Sequence, residues 1–303
     1  MAIFVAGAAS PLALNGGAEA TVREPVEDVV YGAYDPEETL EDAPKSSVEH
    51  IFIFWNHIDV QLLRSGLKKA EKNKRTLLVT VEPFTKAANW RDGAEELFSE
   101  IVSGRYDPEI FGICNGVARS DVAVWLRWGH EMDDGQGGRY PWAGQVDNAN
   151  GYVEAYRYFV EHCKRLAPKA KYIWSPTGLR EAGQYYPGDR YVDLVGISLY
   201  SLEAWDLDNL GQWSSPKKTL QGRYDRVAEF GKPIVLAEVG VAGSSVYVNE
   251  WLRGLVQEAS SLPLIKAIVY FNARETGIWE RYGKPDWRLS NALWRQVSNP
   301  ASR

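Results

Sequence analysis

The sequence predicts an α/β fold, a single-domain (β/α)8 barrel, from three observations. Eight short runs rich in apolar, β-branched and aromatic residues recur along the 303 residues. Each run is apolar at nearly every position rather than at alternate ones, the pattern of parallel strands covered on both faces. Amphipathic helical stretches lie between runs, and eight β–α alternations in about 250 residues are the size of such a barrel.

The runs are Val29 to Tyr34, Ile51 to Trp55, Leu77 to Val81, Val122 to Trp128, Tyr172 to Trp174, Val192 to Leu199, Ile234 to Ala237 and Ile268 to Phe271. Between them, Asp59 to Asn73, Ala94 to Ser103, Ala149 to Ala167 and Asn249 to Ser260 carry apolar residues at helical spacing. The longest polar stretches, Glu37 to Ser47 and Ala204 to Lys218, are read as loops. A doubly wound open sheet is the competing arrangement. No Gly-rich phosphate loop follows the first run, which weakens the nucleotide-binding form of it. No linker, internal repeat or low-complexity tract divides the chain, so residues 28–303 form the predicted barrel.

Residues 1–27 are set apart as an N-terminal arm or a signal remnant. The first 20 are small and apolar and end in an Ala-x-Ala-like pattern, which makes a secreted or extracytoplasmic location the expectation. No Lys or Arg precedes Arg23, and Pro11 and Gly16-Gly17 break the run, which is too short to span a membrane.

The formal charge of −6 comes without any Lys/Arg-rich stripe, so nucleic acid is not an expected partner. A chain this long, 45% hydrophobic, buries a large core without metal or disulfide support, and a monomer is expected. Cys114 and Cys163 lack C-x-x-C spacing, and both a disulfide and two buried thiols fit them. Four scattered histidines form no H-E-x-x-H or comparable cluster, so neither metal nor cofactor is expected. Twelve tryptophans and sixteen tyrosines can fill a large core. Such rings also stack on flat, weakly polar ligands, and sugars are ligands of that kind.

In a barrel of this type the chemistry sits beyond the C-terminal ends of the strands. The runs lead to Asp35, Asn56-His57, Glu82, His130-Glu131, Ser175, Tyr200, Glu238, and Asn272 with Arg274 and Glu275. Polar groups converging on one rim point to a site. Glu131 and Glu238 stand out because each closely follows an apolar strand and is therefore partly desolvated. A buried glutamate can simply satisfy a neighbouring arginine or backbone donor. Two held in different environments supply a proton donor and an ionised nucleophile at one pH, the combination glycoside hydrolysis needs.

Four stretches in order carry a family resemblance. RWGHEMDDGQGGRYPWAG, Arg127 to Gly144, resembles the acid/base region of glycoside hydrolase family 26. YYPGDRYVDLVGISLY, Tyr185 to Tyr200, resembles its sixth-strand region, and KPIVLAEVG, Lys232 to Gly240, its nucleophile strand. FNARETGIWERYGKPDWRLS, Phe271 to Ser290, resembles its eighth-strand ending. The resemblance spans roughly residues 28 to 294. It implies a (β/α)8 barrel and a retaining double displacement, with Glu131 as general acid/base, Glu238 as nucleophile and the carboxyl groups about 5–5.5 Å apart.

The resemblance also implies that His130 binds the sugar at the cleavage point and that Tyr200 hydrogen-bonds the nucleophile. Trp142 is expected to stack on a sugar, Arg127 to point into the barrel, and Trp55, Glu82 and Trp279 to line the rim. Three departures touch the leaving-group side: Asp133 stands where the family carries Asn, the GQGGRYPW loop is long, and Ser198 replaces an acidic residue. The third strand ends in VTVEPF, without the His-Trp pair of mannanase members, and the loop ends in YPW. Both lean toward the β-glucanase branch. The expected partner is therefore a β-linked polysaccharide or oligosaccharide, first a β-1,4 or mixed β-1,3-1,4-glucan. β-1,4-Mannan is the alternative, and a catalytically weak glycan-binding or assembly protein the remote one.

Overall fold

The computed structural model describes residues 29–40, 46–135, 139–145, 148–180 and 182–298. The expected N-terminal arm, residues 1–27, lies outside them. Eight parallel strands close into a barrel in sequence order: β1 (Val30–Tyr34), β2 (Ser46–Phe54), β3 (Thr76–Glu82), β4 (Val124–Trp128), β5 (Lys171–Trp174), β6 (Leu194–Leu202), β7 (Ile234–Ala242) and β8 (Ile265–Phe271). β1 pairs with both β2 and β8, so no strand edge is left open.

The helices outside are α1 (Val60–Asn73), α2 (Ala94–Val102), α3 (Asp107–Ala118), α4 (Ala149–Leu166), α5 (Glu203–Leu210), α6 (Pro216–Ala228), α7 (Ser245–Ala259) and α8 (Asn291–Val297). Local chemistry sets several of their starts. The Asp59 carboxylate accepts from the N–H groups of Gln61 and Leu62, and the Ser244 and Ser290 hydroxyls cap α7 and α8 in the same way. Cys114 on α3 and Cys163 on α4 form a disulfide, with Cα atoms 5.0 Å apart.

Two apolar cores result. Val48, Leu78, Ile173, Val235, Ala267 and Val269 fill the base of the barrel, while a larger shell between strands and helices includes Leu77, Val79, Leu126, Ile197 and Leu236. The alternation along each strand therefore divides inward from outward residues. Above the inner apolar layer the inward positions turn polar: His50, Thr80, Arg127 and Ser198, all buried.

The stretch Ala204 to Lys218, expected as a loop, is mostly helical: it holds most of α5 and the start of α6. The apolar residues of α5 do not face the core. Trp205, Leu207 and Leu210 are exposed, and the helix is pinned by buried Asp206, which accepts from Tyr247 Oη and Ser214 N, each at 2.6 Å. A periodicity test for an apolar inner face misses such a helix.

Candidate active site

The seventh strand carries the decisive irregularity. Its pairing with β6 shifts between Ile197 and Ser198, and its pairing with β8 shifts between Leu236 and Val239. Ala237 and Glu238 together form a bulge. Val235 and Ala237 belong to the inner core, so strict alternation would send Glu238 outward among the helices. The extra residue instead turns Glu238 inward and returns Val239 to the outer shell.

Inside the barrel Glu238 meets fixed partners. Arg127 Nη1 donates to its Oε1 at 2.5 Å, and Tyr200 Oη donates to its Oε2 at 2.6 Å. Arg127, fully buried on β4, also donates to Ser175 Oγ at 2.9 Å, Ser198 Oγ at 3.1 Å and Thr80 Oγ1 at 3.3 Å. These hydroxyls of the middle layer thus orient one guanidinium, which in turn orients Glu238. Tyr200 reaches its position because Gly240 lacks a side chain: a Cβ there would stand 2.6 Å from the tyrosine ring. Burial pushes the Glu238 carboxyl above its ordinary value, Arg127 opposes this, the Glu131 charge adds to it, and the Tyr200 hydrogen bond opposes it.

Glu131 sits just past β4 on a backbone held at every step. Its φ is 55°, the left-handed region that a non-glycine residue occupies at a cost of about 1–3 kcal/mol. Its N–H donates to Ser175 O at 2.7 Å. The carbonyls around it are all taken: Gly129 O by Tyr152 Oη, His130 O by Trp142 Nε1, Glu131 O by Asp134 N and Met132 O by Gly144 N. Asp133, the departure from the family pattern, is buried and accepts from the Thr177 N–H and hydroxyl, both at 2.6 Å. It ties the β4 loop to the β5 loop.

His130 is buried with Nε2 at 3.9 Å from Glu238 Oε1. Burial, then the Arg127 and Arg139 charges, hold its pKa well below 6.5, so the ring is neutral and this approach is not an ion pair. Its Nδ1 has no partner among the described residues. Glu82, inward at the end of β3, is a third carboxyl of the site. Burial and the nearby Glu238 charge push it up to about 8, against Arg127 and Arg139, so it is protonated at neutral pH.

A cleft of about 770 Å³ opens above these groups. Glu131, Tyr200, Trp279, Arg139 and Glu275 line it together with residues of α5. Glu275 shapes the β8 loop by accepting from the Thr276 and Gly277 N–H groups and from Trp279 Nε1. Trp279 is half-buried and edge-on to Tyr200, ring centres 5.9 Å apart.

The structure thus brings Glu131, Glu238, His130, Tyr200, Glu82 and Trp279 to one end of the barrel. It does not bring Trp55 or Trp142 to the cleft surface. Trp55 is wholly buried outside the barrel, stacked on Tyr106 and donating to Phe84 O at 2.8 Å. Trp142 is wholly buried, stacked on Tyr140 and donating to His130 O at 2.7 Å. Neither exposes a face to stack on a sugar. Trp142 instead props the strand end that carries His130 and Glu131. Two features escape the sequence reading. It puts Arg127 inside the barrel but not against Glu238, and it leaves Trp205 in a loop. Among the described residues no group of three or more His, Cys, Asp and Glu side chains could hold a metal ion, and no helix is long and apolar enough to cross a membrane.

An eight-stranded barrel with carboxylates at the ends of the fourth and seventh strands, beneath one cleft, fits the class of barrel glycoside hydrolases. The chain belongs to glycosyl hydrolase family 26, whose model matches residues 30–261. It is 25% identical over 264 residues to Endoglucanase H of Acetivibrio thermocellus, covering 82% of this chain and 26% of that one. It is 26% identical over 267 residues to Mannan endo-1,4-beta-mannosidase A and B of Caldalkalibacillus mannanilyticus, covering 81% of this chain and 46% of that one. The chain therefore spans a quarter to under half the length of these relatives. In fold it is similar to a modular endo-beta-1,4-mannanase from Cellulomonas fimi, with a TM-score of 0.63 at 16% identity over 90% of this chain and 70% of that one. The beta-mannanase BoMan26A from Bacteroides ovatus gives 0.61 at 15% identity, covering 90% and 88%.

Proposed function

We propose that the chain is a retaining endo-β-glycanase that cleaves β-1,4-mannan, with Glu238 as nucleophile and Glu131 as acid/base. The observation that carries this is the bulged Glu238, turned into the barrel and held on both oxygens by Arg127 and Tyr200, beneath a cleft lined by Glu131.

The chemistry follows from these positions. A Glu238 oxygen attacks the anomeric carbon while the bond to the leaving oxygen breaks, and Glu131 gives that oxygen its proton. This leaves a glycosyl ester on Glu238 and an ionised Glu131. Glu131 then takes a proton from a water whose oxygen attacks the same carbon, and the Glu238 carboxylate leaves. Arg127 and Tyr200 favour the ionised form of Glu238 against the cost of its burial and keep it aimed. Neutral His130, buried beside Glu238, adds no charge next to the nucleophile.

The preference for mannan rests on the mannanases among the relatives and the folds similar to this one. It reverses the leaning toward β-glucan taken from the VTVEPF and YPW stretches. β-Glucan remains the second reading, favoured by the similarity to Endoglucanase H over most of the chain. The Cys114–Cys163 disulfide supports a site of action outside the reducing cytosol.

The test is product release from galactomannan, glucomannan, barley β-glucan, soluble cellulose and β-1,3-xylan, with wild type beside Glu238→Ala. Mannan cleavage that is lost in the variant is the expected result. Cleavage of glucans alone would replace the substrate, and cleavage of none would overturn the reading.

A further inference from the structure

The cleft does not stop at the reacting groups. Glu131 and Tyr200 line it, Glu238 lies beneath them, and the cleft continues past the end of β6 onto α5 and the β8 loop. The proton donor must reach the leaving oxygen. The part of the cleft that runs from Glu131 past the end of β6 is therefore the arm that receives the leaving group.

That arm is apolar where it is most open. Trp205 is 42% exposed, Leu210 50% and Ile278 74%, all on its walls. Exposed large apolar side chains lining one cleft mark a binding surface. The wall is also fixed in place. Asp206 anchors α5 from beneath, and Glu203 accepts from the Ser244 N–H and hydroxyl. At the tip, α5 is clasped to the β8 loop. Asn209 Nδ2 donates to Tyr282 Oη at 3.1 Å, Tyr282 Oη donates to Asp208 Oδ2 at 3.2 Å, and Arg281 pairs with Asp208 at 3.0 Å. An indole presented on a helix held this way is preorganised rather than merely uncovered.

Tyr200 and Trp279 already border the reacting centre. Trp205 lies beyond the strand end, in a cleft near the upper part of the range of about 300–1,000 Å³ for small-ligand sites. We propose, resting on the function above, that the Trp205 wall binds the leaving-group side of the glycan: the second and further β-linked hexopyranosyl units past the scissile bond. The flat apolar faces of the pyranose rings pack on the indole and on Ile278, and their hydroxyls stay in water.

The probes are mannohexaose, cellohexaose and the 4-nitrophenyl glycosides of mannobiose and cellobiose, which carry no sugar unit past the scissile bond. Trp205→Ala should lower the ratio of kcat/KM on the hexaose to kcat/KM on the matching aryl bioside by about tenfold. Trp205→Tyr, which keeps a ring, should restore most of that ratio and shows that the helix still folds. Reducing-end-labelled hexaose should yield labelled products of two or more units with wild type, and shorter ones with Trp205→Ala. A ratio within twofold of wild type in Trp205→Ala, or hexaoses left intact while an aryl bioside is cleaved, would overturn the proposal. Failure to cleave even the aryl biosides would instead remove the hydrolase reading, and this proposal with it.

Discussion

Replacing Glu82 by glutamine should change how stability responds to pH, and by an amount the structure sets. Glu82 is buried at the end of β3, its carboxyl pushed up to about 8 by burial and then by Glu238. In the unfolded chain it titrates near 4.5. Between those values the folded state holds a proton that the unfolded state has released, so stability falls as pH rises. Below 4.5 both states are protonated and nothing is lost; above 8 both are ionised and the loss is complete. At about 1.4 kcal/mol for each pH unit between the two, the total is roughly 5 kcal/mol. The amide introduced by Glu82→Gln has the same shape, no proton to lose and hence none of this slope. The assay is urea unfolding followed by tryptophan fluorescence from about pH 4 to about pH 9, a range that brackets both titrations. The difference between variant and wild type should be small at the acid end and grow between the two pKa values. Above the folded-state value it should level off with the variant several kcal/mol the more stable. Taking the difference cancels the titrating groups that do not interact with Glu82. Parallel curves would mean that Glu82 ionises like an exposed carboxylate, and the dry, protonated third carboxyl would be wrong.

Two further outcomes follow from the same site. Arg127→Met removes the cation that holds Glu238 down, so the Glu238 pKa should rise and the acid limb of kcat/KM should move to higher pH. Stability should also drop by about 3–5 kcal/mol, as for one partner of a buried pair. An unmoved acid limb would show that Arg127 does not set the ionisation of Glu238. Glu131→Ala should lose activity far more on oligosaccharides than on 4-nitrophenyl glycosides, because an activated leaving group needs little protonation. Equal losses on both would remove Glu131 from the acid/base role.

The barrel is legible in the sequence because its strands are apolar on both faces, a pattern that local composition reveals without tertiary knowledge. The helices are less so. α3 carries Gly112 and Gly116, which weaken helical propensity, and α5 turns Trp205, Leu207 and Leu210 away from the core. The rim position of Glu131 can be read from its place after a strand. The inward aim of Glu238 cannot, because it depends on a bulge that the sequence VLAEVG does not announce. Trp55 and Trp142 illustrate the opposite failure: a tryptophan next to a site residue can face the supporting shell as readily as the cleft. Only packing separates Trp142, which holds the His130 carbonyl, from Trp205, which has an open face.

The central claim is that Glu238 becomes covalently bonded to the sugar. In a 2-deoxy-2-fluoro glycoside the fluorine slows both steps and a good leaving group restores the first, so the ester accumulates on the nucleophile. Peptide mass mapping after incubation should place one fluorosugar on Glu238, with activity lost in proportion and returning as the ester turns over. A label on another carboxylate, or cleavage of the natural glycan with inversion at the anomeric carbon and no label at all, would contradict the account.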